Sequence, residues 1–416
     1  MRDIIIKWFI PGIAFLLPWQ TRWIFGGAEI VGQPFEFGIY SLYAIELLIF
    51  LIFLALGRLQ IRQEYRLSLW LAGLVLVVSA LSFIVAENSI LSLIQWMHLA
   101  VALLFFVILL DHRVSIKRVF TGFVLGLVIP SLVGIFQFFY GSSAASTILG
   151  IAERDAARLG DSVIEYQGGR FLRAYGSFSH PNIFGGYLAV ALAGIIGYWD
   201  KLKTKTTIIL SGIVGFIISF AFILTFSRSA WLGLGLGLLV GTIILAFKNK
   251  ARAKMIVVPL SLILIGLAVL GSAGRLNFSS SFESRSIEER IVQYQEFPVV
   301  IGREVILGQG IGNYTLAIAD VFTDREWWQY QPIHNVLLLI MGEIGLIGLL
   351  CVILWAASID KINFARFPER QAVTAFMMGN ILLLIVFFDH YLWSNWSGLA
   401  LVALVMAATL RLGEEY

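Results

Sequence analysis

The sequence predicts an all-α, polytopic integral membrane protein: about 12 transmembrane helices, with a large external loop between helices 9 and 10. Three observations carry that prediction. Of 416 residues, 59% are hydrophobic and 13% charged, and mean hydropathy is +0.87, whereas soluble domains carry about 25% charged residues. The apolar residues gather into runs near the ~20 residues that a bilayer crossing needs. The basic residues fall mostly between alternate runs, as the positive-inside rule requires.

Taken in order, the runs are roughly 4–19, 38–57, 67–86, 90–110, 119–139, 183–199, 207–226, 230–247, 255–271, 336–356, 371–389 and 397–410. No water reaches the hydrocarbon layer, so each run must satisfy its own backbone, and all are expected to be helices. The first contains Pro11 and Pro18, with no small-residue cleavage pattern after it, and reads as a retained span. With the N-terminus in the cytoplasm, the inner segments hold Arg2, Lys7, Arg58, Arg62, Arg66, Arg113, Lys117, Arg118, Lys201, Lys203, Lys205, Lys248, Lys250, Arg252, Lys254, Lys361, Arg366, Arg370 and Arg411. The four short outer connections hold only Arg22 and Arg228. Both termini are therefore expected in the cytoplasm, and residues 1–416 form one membrane domain.

Composition also excludes functions. A formal charge of +4 is too small to point to nucleic acid. The single cysteine, Cys351, rules out an intrachain disulfide or a thiolate metal site. There is no Walker loop, no Gly-x-Ser-x-Gly elbow, no His-Glu-x-x-His and no Asp-x-Asp pair. Chemistry at the outer face without metal, nucleotide or other cofactor is the expectation.

Two outer loops stand out, about 140–177 and about 272–335, because loops this long are usually functional. The second is expected to hold a helix over Ser286–Phe297, ended by Pro298. Arg228, in Ser227-Arg228-Ser229, separates two apolar runs with almost no loop; it is either a snorkelling helix-end arginine or, preferred here, an anion site. Arg173 precedes Gly176-Ser177-Phe178-Ser179-His180-Pro181-Asn182, where the first loop re-enters the membrane; backbone N–H groups at that helix start favour an anion, and a cap with a solvated arginine is the plainer reading. Arg290 follows Glu288-Glu289 beside Ile287 and Ile291, on what is otherwise a charge-rich surface helix.

His334-Asn335 sits at the mouth of the tenth span and offers a general base near neutral pH, or an interfacial histidine in an aromatic belt. Trp327 and Trp328 beside it are belt residues or a sugar-stacking platform. His180 and the Asp389-His390 pair are competing bases, and Glu46 and Glu343, inside predicted spans, need partners. Gly308-Gln309-Gly310-Ile311-Gly312-Asn313 lacks a surrounding βαβ unit and reads as turns. Gly233, Gly237 and Gly241 repeat at the spacing of close helix packing.

In this order the motifs resemble a known family. Arg173-Ala174-Tyr175-Gly176-Ser177-Phe178 with His180-Pro181-Asn182, then Phe226-Ser227-Arg228-Ser229, then Ile306-Leu307-Gly308-Gln309-Gly310-Ile311-Gly312-Asn313-Tyr314, then His334-Asn335 running into Met341-Gly342-Glu343-Ile344-Gly345, is similar to the O-antigen ligase / O-antigen polymerase superfamily of bacterial envelope proteins. The resemblance is sharpest over 170–355. It implies transfer of a glycan from a polyprenyl (undecaprenyl) diphosphate carrier to a hydroxyl acceptor, at the outer face of the bacterial cytoplasmic membrane.

On that resemblance the catalytic residue is His334. The diphosphate falls to Arg173, Arg228 and Arg290, with Arg285 and Arg303 as substitutes for the last. His180, Asn182, Ser227, Asn335 and Glu343 are possible supporting residues. The reaction implied is a metal-independent, inverting glycosyl transfer. The partners implied are the lipid-linked donor, a glycolipid, glycan or protein acceptor, and membrane lipids. A repeat-unit polymerase using the same donor is the near alternative, and a lipid-linked glycan transporter the more distant one.

Overall fold

A computed structural model describes residues 2–166, 168–198, 204–248, 281–302, 304–363 and 369–412. The expected ninth span, 255–271, and Arg303 lie outside the described residues, as does the side chain of Arg285.

The chain enters through α1 (Arg2–Ile4), a π-helical turn (Ile5–Phe9) and α2 (Ile10–Leu16). An antiparallel ribbon follows, β1 (Arg22–Ile30) and β2 (Gln33–Tyr43). It corrects the expected second span: residues 38–43 are strand, and the helix that follows, α3 (Ala44–Leu56), has 13 residues. The reason is local. Gly26, Gly27, Pro34 and Gly38 disfavour helix, and the turn at Val31-Gly32 has positive φ at both residues, 53° and 70°, as a twisted two-residue hairpin demands. Its aromatic and β-branched residues are as apolar as a span's, so hydropathy alone does not tell the two apart.

Then come α4 (Arg66–Leu81), α5 (Ser89–Leu109), α6 (Ile116–Gly126) and α7 (Val128–Tyr140). The last two break at Leu127, three residues before Pro130, whose missing N–H leaves the Gly126 carbonyl without its helical donor. Short ribbons β3 (Ser142–Ser143) with β4 (Arg154–Asp155), and β5 (Val163–Tyr166) with β6 (Gly169–Leu172), fill most of the first long connection. Helices α8 (Pro181–Tyr198), α9 (Lys205–Leu224) and α10 (Arg228–Lys248) follow.

Next are α11 (Ser281–Ile301), α12 (Tyr314–Val321), α13 (Val336–Asn363), α14 (Glu369–Phe388), the single turn α15 (Tyr391–Ser394) and α16 (Trp396–Arg411). Helix α11 corrects the expected stop at Pro298. The helix carries that proline inside and closes a turn later, where Gly302 N–H reaches Val299 O at 3.4 Å; the ring forfeits one bond near the end rather than breaking the interior.

Among the described residues, five helical runs are long and apolar enough to cross a membrane: Gln63–Ile84, Ser89–Leu109, Ile116–Tyr140, Lys205–Leu224 and Val336–Ile359; shorter apolar helices join them. Leu47, Leu51, Leu54, Trp70, Val77 and Phe216 stay exposed on their outer faces, which suits lipid and not water. The chain is thus a largely helical, polytopic membrane protein.

Helix α16 is buried from Trp396 to Arg411 except at half-buried Val402 and Met406, and α5, α8, α13, α14 and α15 pack against it. The Gly233–Gly237 stripe of α10 lies directly on α14: a Cβ at Gly233 would fall 2.8 Å from Ile381 Cα. Such contact replaces the hydrophobic drive that lipid does not supply.

One feature positions the site above all. Helix α13 is broken at Gly345 (φ 72°, ψ −176°). The freed backbone groups pair with the glycine-rich segment: Gln309 N–H to Gly342 O (2.8 Å), Gly310 N–H to Glu343 O (2.9 Å) and Leu346 N–H to Val305 O (2.9 Å). On its other side, Asn313 accepts from Asn88 N–H (2.8 Å) and donates to Ser92 Oγ (2.8 Å), while Ile311 N–H donates to Ser82 Oγ (3.0 Å). Residues 305–313 are thereby locked between the α4–α5 connection and the broken helix, and α11 is held over the start of α13.

Candidate functional site

The first loop re-enters the bundle on a pinned turn. Buried Gln137 of α7 accepts from Tyr175 N–H (3.0 Å) and Gly176 N–H (2.9 Å) and donates to Gly176 O (3.0 Å). The strand before that turn runs along the end of α9, with Ala174 N–H on Leu224 O at 2.9 Å. Arg173 is consequently buried. Its Nε donates to Thr225 O (2.7 Å) and its Nη2 to Asn182 Oδ1 (2.7 Å). Three residues beyond Thr225, Arg228 opens α10. Phe226 between them has φ 50°, a left-handed conformation uncommon for a bulky residue, and Ser227 Oγ is buried with no hydrogen-bond partner among the described residues. The turn that leads into Arg228 is thus also the one that Arg173 bonds.

Asn182 extends the network. Its oxygen must face the guanidinium, which only donates, so its Nδ2 is the donor to Asp389 Oδ2, at 2.7 Å. Asp389 also accepts from His390 N–H (2.9 Å). Burial pushes the Asp389 carboxyl up, but the histidines around it and that N–H hold it below its ordinary value. The histidines pull only when protonated; when they are neutral, the Asn182 and His390 donors keep it ionised.

Three histidines converge here. The rings of His334 and His390 meet edge to face at 5.0 Å, and Phe37 of β2 stands edge-on to His390 at 5.2 Å. His180 Nδ1 accepts from Asn182 N–H (3.1 Å), and its Nε2 reaches Ser162 Oγ (3.1 Å). Both its nitrogens are engaged, so His180 caps the α8 entrance and offers no free base. Burial pulls it down to about 3, with Arg173 adding to the effect and Asp389 opposing it.

His334 is held differently. Gln293 Oε1 accepts from His334 N–H (3.1 Å) and lies 2.9 Å from its Nδ1. The backbone N–H fixes that Gln293 atom as an acceptor, so Nδ1 carries the ring proton. Nε2 is then the nitrogen with the lone pair. Burial first, then His390 and Arg290, lower His334 to about 3 against the pull of Asp389, so it is neutral at pH 7.

Helix α11 presents Arg290, Gln293, Tyr294 and Phe297 at i, i+3, i+4 and i+7, one face. Arg290 is close enough to depress both His334 and His390, Asn335 Nδ2 reaches Tyr294 OH at 3.4 Å, and Phe297 packs on Tyr314. Arg325 pairs with Glu296 and ties the segment before His334 to the same helix. Gln293 escaped sequence reasoning; its spacing of one turn from Arg290 was the available signal.

Two of the expected supporting residues have structural partners. Asn335 caps α13, its Oδ1 accepting from Leu338 N–H at 3.1 Å. Glu343 accepts from Trp393 Nε1 (2.7 Å) and Gly312 N–H, not from a histidine. Of the residues singled out, Arg173, His180, Asn182, Asp389, His390, His334 and Arg290 meet at one end of the bundle.

Arg173 is buried and Arg290 half-buried near a histidine with a directed lone pair, a set chemically suited to an anion and to accepting a proton. Among the described residues, no three His, Cys, Asp or Glu side chains are grouped to hold a metal ion. No curated protein matches the chain. A family described as O-Antigen ligase matches residues 213–353, a stretch that takes in Ser227, Arg228, Arg290, His334, Asn335 and Glu343 and leaves Arg173, His180 and Asn182 before it. The resemblance to the O-antigen ligase superfamily read in the sequence is thus supported over residues 213–353, with Arg228, Arg290 and His334 inside the matched stretch.

Proposed function

We propose that the protein transfers a glycan from a polyprenyl diphosphate carrier to a hydroxyl acceptor, at the outer face of a bacterial cytoplasmic membrane. The observation that carries this reading is the tautomer of His334: Gln293 Oε1 accepts from Nδ1–H and leaves the lone pair on Nε2, with Arg290 close enough to act on the same ring. The match of residues 213–353 to the family described as O-Antigen ligase supports the glycan chemistry.

In this mechanism the donor's diphosphate lies among Arg173, Arg228 and Arg290. Forked guanidinium donors suit phosphate oxygens. The acceptor hydroxyl gives its proton to His334 Nε2 as its oxygen bonds to the anomeric carbon. The bond from that carbon to the diphosphate breaks, and its electron pair leaves on the phosphate oxygen. Attack from the face opposite the leaving group inverts the anomeric centre. Charge grows on the diphosphate in the transition state, and fixed cations stabilise it there more than in the ground state. This is the role a divalent ion plays elsewhere, and it makes the transfer metal-independent. The arriving negative charge also raises His334, making it a stronger base when the donor is bound.

The topology that goes with this reading has twelve spans, both termini cytoplasmic and the 140–177 and 272–335 loops outside, with the ligase-like region over 170–355. The distribution of Lys and Arg supports it.

The test uses the purified protein in nanodiscs, a labelled polyprenyl-diphosphate oligosaccharide, EDTA, and acceptors added singly. Label moving to an acceptor and lost in His334→Ala supports the ligase reading. A ladder of longer carrier-linked chains without added acceptor makes the protein a polymerase. Full turnover in His334→Ala removes the base.

A further inference from the structure

The β1–β2 ribbon brings a carboxylate to this cluster that the transfer mechanism does not use. Glu36 of β2 lies close to the Ser179 side chain, next to His180. Its neighbour Phe37 stands against His390, which in turn stands against His334. The turn Trp327–Gln329 packs on the same strand, and Trp327 and Trp328 keep much of their surface open. We propose that Glu36, with Trp327 and Trp328 of the turn packed on its strand, forms the acceptor subsite and selects a neutral sugar. The proposal rests on the glycosyl-transfer reading and names the side of the site that reading leaves open.

Charge is the first argument. The donor's negative diphosphate belongs with Arg173, Arg228 and Arg290, and a carboxylate would repel it. Glu36 therefore faces the other reactant, and it would repel an acidic sugar there in the same way. Side-chain chemistry is the second. An ionised carboxylate accepts from two sugar hydroxyls at once, and the faces of tryptophan rings cover the apolar C–H face of a pyranose.

Preparation is the third. Glu36 is open to water yet ringed by protein; enclosure raises its pKa, and Arg154, Arg22 and Ser179 offset that rise only in part. The Arg154 fork is already spent on Asp161 Oδ1 (2.8 Å) and Ser179 O (3.0 Å). Arg22 donates to Tyr43 OH (3.2 Å).

The experiment measures binding and transfer separately, on the full chain in nanodiscs. The probes are cellotriose and maltotriose, a glucuronic acid trisaccharide as the acidic control, and a labelled polyprenyl diphosphate for the donor site. Wild type is expected to bind a neutral trisaccharide at least about tenfold more tightly than the acidic one. Glu36→Gln should weaken the neutral sugar about tenfold and erase the preference, and Trp328→Ala should weaken both sugars, with donor binding retained in each.

The proposal is overturned if wild type binds neither neutral sugar, or if Glu36→Gln keeps both affinity and preference. A loss of donor binding in both variants overturns it too, since the ribbon would then be only structural. Neutral-sugar binding that behaves as expected in a wild type that transfers nothing supports the subsite and removes only the reaction proposed above.

Discussion

Gln293 accepts two hydrogen bonds from one residue, from the backbone N–H of His334 at 3.1 Å and from its ring Nδ1 at 2.9 Å. The first bond identifies the Gln293 atom as oxygen, and so the second orients the imidazole. Gln293→Leu is expected to cut the rate of transfer at least about tenfold, within the ~10²–10⁴-fold that a positioned base contributes, with donor binding unchanged. Gln293→Glu adds a negative charge beside Nδ1–H and raises the His334 pKa. The rate should then fall off at a higher pH on the acid side than in wild type. Single-turnover transfer against pH checks both, and a profile identical to wild type in Gln293→Glu would show that His334 is not the titrating base.

Asn182 joins Arg173 to Asp389 through bonds of 2.7 Å on each side. Asn182→Leu leaves a buried guanidinium and a buried carboxylate each short of one partner, a loss of about 1–3 kcal/mol per group. Donor affinity should drop about tenfold or more, because Arg173 no longer points where Thr225 O and Asn182 aim it. Asn182→Asp sets a second carboxylate against Asp389 and should be worse. Measuring binding of labelled polyprenyl diphosphate decides; an Asn182→Leu protein with wild-type affinity would detach Arg173 from the donor.

How far this was legible in sequence follows from distance along the chain. Arg228 and His334 each lie in a short motif whose order could be read directly, whereas Arg290 sits in a loose charge-rich stretch where Arg285 and Arg303 were also open. The Asn182–Asp389 bond spans 207 residues, and no local pattern announces it. Gln293 was readable only after Arg290 had been given a face on the helix. The N-terminal ribbon was masked for another reason: hydropathy counts apolar residues whether they line a helix or a strand, so Ile39, Tyr40, Leu42 and Tyr43 passed for part of a span. The glycines of 308–312 read as turns, but their partner, a helix break at Gly345, needs the fold.

Acid should destabilise this end of the molecule. His180 and His334 are lowered to about 3 by burial, from about 6.5 in an unfolded chain. Above pH 6.5 neither state binds the proton and nothing is lost. As pH falls from 6.5 towards 3, the unfolded chain takes up protons that the folded one refuses, so stability falls throughout that window. Melting temperature in detergent should therefore decline below pH 6.5. His334→Gln, which removes one such group, should flatten the decline; an unchanged slope would mean that His334 stays accessible to protons in the folded protein.

Gly345 is where site and membrane helix are coupled. At φ 72° a Cβ is strained, and here it would lie 2.0 Å from Ile306 O and 2.6 Å from Leu307 N. Backbone on that side cannot give way as a flexible side chain would, because Leu346 N–H bonds Val305 O and Gln309 and Gly310 N–H bond Gly342 and Glu343 O. Gly345→Ala should cost more than the ~1–3 kcal/mol of an isolated left-handed residue and should loosen residues 305–313 first. Those residues seat α11, so Arg290 and Gln293 would lose register with His334 while Arg173 and Arg228, held by α9 and α10, would not. Amide exchange should rise over 305–313 and over 287–297, transfer should fall, and diphosphate binding should survive in part. Equal loss of protection around Thr225 would show that the two halves of the site are not held independently.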